Sequence, residues 1–252
     1  MFWSAKPTID ADDAEWQIAC WQWLLDNLGG VEALRSFDTA TPTHADFPKS
    51  GLTGHAHVEY VLGQVAERMR IDPSQFTLAA QEAGIDPVLS PLAVVENAPA
   101  GPLGTYSADG NAHIITYEPE AARDLEQLIA TLVHEICHPI LLSIPDPPPG
   151  EETEEYATDL ATVFFGFGLF GGNCSFRFNQ FRDDASGTQG WSTSRAGYLS
   201  QGEWGFALAV RSILAGETPG PIERHASTGL LENFRKNLKY LTKKPEALAA
   251  IR

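Results

Sequence analysis

With 252 residues and 43% hydrophobic composition, the chain is long enough to bury a core and suggests one compact domain or a domain with an extension. Its formal net charge of −16, from 33 acidic against 17 basic residues, argues against nucleic acid and against membrane surfaces as partners, because neutralising phosphates needs a basic face. Cys20, Cys137 and Cys174 are odd in number and widely spaced, so no disulfide framework is expected and a reducing, cytoplasmic setting is favoured.

The first residues, Met1 to Lys6, run directly into Asp10, Asp12 and Asp13, without the charged start and long apolar stretch of a signal peptide. A helix capped by Asp10 is predicted from Ala11 to Leu28, carrying Trp16, Ile18, Trp21, Trp23, Leu24 and Leu25 and stopped by Gly29-Gly30. Aromatics at helical spacing belong to a core. After a loop holding Pro42, Pro48 and Gly51, a second helix is predicted from about His55 to Met69. His55 and His57 stand two apart and cannot face each other on a helix, so with His44 they read as polar surface.

Residues 103–107 and 111–117 flank Asp109-Gly110, a dipeptide suited to the primed turn of a β-hairpin, and the second arm has the β-branched content of a strand. Leu125, Leu128, Ile129, Leu132, Val133 and Ile136 then recur at helical spacing. Pro139 predicts that this helix kinks or stops at His138, followed by a stiff connection holding Pro145, Pro147, Pro148 and Pro149. Further on, glycines 166, 168, 171 and 172 interleave with phenylalanines and imply close helix packing. Ser200 and Glu203 form a capping box opening a helix that Gly216 ends. A last helix is predicted from about Ser227 to Leu241, and its Arg235, Lys236, Lys239, Lys243 and Lys244 read as a solvated face. No uninterrupted apolar run reaches 18 residues; the nearest, Ala157 to Gly172, reads as a buried helix.

His134-Glu135-Ile136-Cys137-His138 carries the chemistry. Residues four apart on a helix differ by only about 40° around the axis, so both imidazoles can reach one metal ion with Glu135 beside them. The two His lie opposite the apolar stripe, on the side of Gln127 and Thr131, and should face a cleft. Cys137 is off that face and reads as packing. Glu155 and Asp159 stand four apart at the start of the next helix, although Glu151, Glu152 and Glu154 compete for any acidic role and the run also suits a solvated first turn. A His-His-Glu set suits zinc and could in principle serve ferrous iron.

H-E-x-x-H followed by Glu155-x-x-x-Asp159 resembles the gluzincin group of zinc metallopeptidases, thermolysin-like in outline, over roughly Gly104 to Gly168. The metzincin pattern is excluded, since it needs Gly and His where Leu141 and Ile144 stand. The resemblance implies Zn2+ held by His134, His138 and Glu155, with Asp159 behind the first His and Glu135 as general base acting on a peptide or protein substrate. Two neutral imidazoles and one carboxylate leave a fourth tetrahedral position open, and a carboxylate behind a ligating His fixes its tautomer. The implied fold is α+β, a predominantly helical zincin-like body with a small β-sheet or hairpin beside the active-site helix. An N-terminal helical extension would occupy 1–85 and the metallopeptidase domain 86–252. The strand at 112–117 would edge the cleft and pair with an extended substrate. His225, Tyr156 and Tyr198 are candidates for stabilising an oxyanion. Pro139 departs from the family pattern and motivates a rival expectation, a zinc-binding structural or regulatory protein with an inactive or occluded site.

Overall fold

The computed structural model describes residues 6–80, 88–90, 93–94, 104–109, 112–150, 154–175 and 199–251. Asp10 accepts a hydrogen bond from the Asp13 amide and opens α1 (Ala11–Asn27), as its sequence predicts. Gly29, at φ 91°, then redirects the chain at once into a short helix the sequence reading did not separate, α2 (Gly30–Arg35). The third helix, α3 (His55–Met69), lies where expected and ends at Arg70 in the left-handed conformation.

Three strands form a mixed sheet: β1 (Phe76–Ala80), β4 (Gly104–Asp109) and β5 (Ala112–Tyr117), in the order β1-β5-β4. A separate antiparallel pair joins β2 (Val88–Ser90) to β3 (Ala93–Val94). The expected hairpin is present between β4 and β5, but Asp109 pairs with Ala112 and so belongs to the strand. The connection is residues 110–111, one step beyond the expected dipeptide and outside the described residues. A second correction matters more for function. β5 is the central strand, parallel to β1 and antiparallel to β4, so both its edges are already hydrogen-bonded and it cannot take an extended peptide by strand addition.

Asp124 caps α4 (Leu125–Leu142) by accepting from the Glu126 and Gln127 amides. This helix does not stop at His138. It runs through Pro139 for another turn, because the ring removes only one amide donor and the end is secured again by Ser143, whose amide donates to the Pro139 and Ile140 carbonyls and whose hydroxyl donates to Ile140. Nor does α4 present an open face. Gln127, Thr131, His134 and Glu135 are buried like the apolar stripe opposite them, because α5 (Glu154–Phe164) packs along that side. It is α4, and not 157–172, that is long and apolar enough to cross a membrane by length and composition, and 61% of it is buried inside the fold.

A helix over 168–175, α6, leads towards α7 (Gln201–Ala215), α8 (Gly220–His225) and α9 (Thr228–Lys243). The Ser200–Glu203 capping box and the Gly216 stop of α7 are both present. A Cβ at Gly171 would collide with the Trp204 ring, and one at Gly172 with Leu230, which is the close packing the glycines predict. Trp21 and Leu24 of α1 and Val61 and Val65 of α3 share one core with Leu132, Val133, Phe164, Leu208 and Phe234. The expected boundary at 85/86 falls in a stretch outside the described residues. The class is α+β, mostly helical with a small sheet.

Candidate metal centre

The centre is built where α4 and α5 face each other. His134 and His138 project from successive turns of α4, their ring centroids 5.0 Å apart and nearly perpendicular. Glu155, in the first turn of α5, brings Oε2 to 3.0 Å from His134 Nε2 and 3.8 Å from His138 Nε2. One donor atom from each of the three lies within 4.8 Å of the others. Donors on a tetrahedral zinc at 2.0–2.1 Å are separated by about 3.3 Å, so the set fits such an ion with shifts of about an ångström or less. Glu135 stands beside the group, its Oε2 4.0 Å from His138 Nε2.

Asp159, one turn beyond Glu155, accepts from His134 Nδ1 at 3.0 Å. Its other oxygen accepts the Leu199 amide at 3.0 Å, immediately ahead of the α7 cap. The carboxylate thus ties α4, α5 and α7 together and fixes which His134 nitrogen faces Glu155. The Leu199 amide could not be read from the sequence, although the capping box one residue later marks where such an amide would lie.

Electrostatics follow from this packing. Burial alone would push the His134 pKa down, but the hydrogen bonds of Asp159 and Glu155 and the charges of Asp159 and Glu135 raise it to about 10. Both its ring N–H groups therefore donate, one to each carboxylate. His138 moves the other way, to about 4, because burial and the neighbouring His134 charge outweigh Glu155. Glu155 is held below its ordinary value, since the His134 hydrogen bond and the two His charges overcome its burial, whereas burial dominates at Asp159 and raises it. His134 and Glu155 so share one proton at the place where a divalent cation would bind.

The His side chains are about 10% exposed, whereas Glu155 is 41% exposed, so solvent reaches the group from the Glu155 side. Glu154 is exposed and takes no part in the cluster; Glu151, Glu152 and Tyr198 lie outside the described residues. Tyr156 packs its ring edge-on against Trp16 at 5.7 Å. The carbonyl of His225 accepts from Asn173, which also donates to Glu126 near the start of α4, more than two turns from His138. Cys137 is fully buried and its thiol is pushed well above its ordinary pKa by burial, in keeping with packing. His55 is not merely surface, since its Nδ1 bonds the Tyr117 hydroxyl at 2.9 Å and joins α3 to β5. A groove of about 760 Å³ between α3 and residues 36–48 contains none of the cluster. No family model, no curated protein and no solved structure matches this chain, so the geometry of these side chains is what any functional reading must stand on.

Proposed function

We propose that the chain is a zinc-dependent metallopeptidase with a zincin-like core, hydrolysing a peptide or protein substrate at the centre formed by His134, His138 and Glu155. One observation carries the reading: donors from two helices converge within 4.8 Å while a second carboxylate, Asp159, holds His134 in place from behind. When bound, zinc would supply Lewis acidity towards water and towards a substrate carbonyl. Glu135, beside the ligands without being one of them, accepts the proton of the attacking water on a carboxylate oxygen and delivers it to the leaving amine nitrogen. His134, held by Asp159, keeps a single orientation throughout. Since β5 is enclosed, the strand that can hold an extended substrate is β4, which packs against α4 and whose outer edge carries no partner among the described residues.

The test is metal content joined to cleavage. The protein should carry close to one zinc per chain, and His134→Ala or His138→Ala should remove it. Glu135→Gln should retain zinc and lose cleavage of a peptide library by a factor on the order of 10² to 10⁴, the usual contribution of a general base. The shallow exposure of both His side chains favours a second reading, in which the zinc site is structural or regulatory and occluded from substrate. Wild-type protein that holds zinc and cleaves nothing would establish that alternative.

A further inference from the structure

α1 has no part in the ligand set, yet two of its side chains grip the connection that leads from α4 to Glu155. Trp16 Nε1 donates to the Pro149 carbonyl at 2.7 Å, and Trp23 Nε1 donates to the Asp146 carbonyl at 3.1 Å. Seven residues along a helix return to nearly the same face and advance about 10.5 Å. The two indoles, on nearly one face of α1, thus each hold one carbonyl of the Asp146–Pro149 stretch. Trp16 also touches the chain beyond the connection, its ring lying edge-on to Tyr156, the neighbour of Glu155. Its contacts therefore fall on both sides of residues 151–153, which lie outside the described residues. Glu155 is the most exposed of the three donors and the only one not on α4, so its place depends on how α5 is started.

We propose that Trp16, seconded by Trp23, is a positioning residue that sets Glu155 against the two histidines by fixing the proline-rich connection and the first turn of α5 to α1. This role rests on the reading of His134, His138 and Glu155 as a metal centre. Trp16→Phe keeps a ring against Tyr156 and removes the N–H that holds Pro149. In the full-length protein it should weaken Zn2+ binding about tenfold, within the range typical of residues that orient ligands. It should also alter the visible d–d absorption of the Co2+-loaded protein, which reports coordination geometry and would not respond to a general loss of packing. Trp23→Phe, one contact further out, should have a smaller effect in the same direction and carries the test if Trp16→Phe does not fold. In a Glu155→Ala background, where the two histidines leave only weak residual Zn2+ binding, measured at high Zn2+ concentration, Trp16→Phe should weaken that residual binding no further, because its effect passes through Glu155. Equal weakening in both backgrounds, or unchanged Zn2+ affinity and Co2+ spectrum in foldable Trp variants, would overturn the role of the indoles while leaving the metal centre intact. Wild-type protein that takes up neither Zn2+ nor Co2+ would overturn both.

Discussion

Among the described residues, two buried ionic clusters differ in what they can exchange. Arg211 on α7 is 1% exposed; its Nη2 donates to the Phe37 carbonyl and lies 3.1 Å from Glu217, which also accepts from Thr39 at 2.7 Å. Burial pulls the Arg211 pKa down, with Glu217 and Asp38 opposing, but a guanidinium keeps its proton and offers no lone pair. That cluster clamps α7 to the segment after α2. The cluster around His134 is enclosed at His134 and Asp159 but open at Glu155, and its imidazoles can give up a proton and present a lone pair to a cation. Burial of charge is therefore a poor mark of function on its own. Convergent donors able to trade a proton for a metal are a better one.

The sharpest way to break this contrast is Arg211→Met. Removing one partner of a buried ion pair should cost about 3–5 kcal/mol of stability, read by urea unfolding, while the folded protein keeps its zinc affinity. If zinc is lost instead, the two clusters are not distinct. A smaller effect is expected from Asp159→Asn, which should leave zinc bound but weaken its affinity about 10- to 100-fold, because the amide side chain holds the His134 ring less firmly. Glu154→Ala serves as its control and should leave zinc binding unchanged in the same titration.

The gentlest probe is pH. The His134 pKa of about 10 in the metal-free protein exceeds the unfolded value of about 6.5. Its contribution to metal-free stability is therefore fully present below pH 6.5 and is lost as pH rises through 10. Zinc needs this ring neutral, so binding should release close to one proton per zinc between pH 6.5 and 8 and tighten by about tenfold per pH unit. Calorimetric titrations in buffers of different ionisation enthalpy count that proton. Binding without proton release would mean that His134 is already neutral and that its pairing with Glu155 and Asp159 is weaker than the short contacts imply.

Local chemistry was the readable part of the sequence. Asp10, Ser200, Glu203 and Gly216 marked helix ends because caps and stops act within a turn, and the two His with Glu155 and Asp159 were readable because helical spacing fixes who shares a face. Non-local pairing was not. Five residues of β1 carry no periodic signal, and their parallel partner lies 37 residues away in β5, so neither β1 nor the enclosure of β5 could be foreseen. The burial of the His face came from α5 folding back across it, which periodicity within α4 cannot reveal. Pro139 misled for the opposite reason: a rule about isolated helices gave way to a well-packed helix that lost a single amide and was secured beyond it.

The position of the proposed metal ligands within α4 has a consequence for how the protein is made. This helix is apolar enough, by length and composition, to pass for a membrane span, and α5, which covers its histidine-bearing side, follows it in the chain. A newly synthesised segment of that kind is exposed before its cover exists, when it can aggregate or partition into lipid. His134, Glu135 and His138 interrupt it, and polar side chains near the middle of a spanning helix oppose insertion by up to a few kcal/mol each, on the order of 3 for an acidic residue. The residues proposed to carry the finished protein's chemistry would thus also keep the unfinished one out of the bilayer. A variant carrying leucine at all three positions would be the poorer nascent chain even if its finished core packed more tightly.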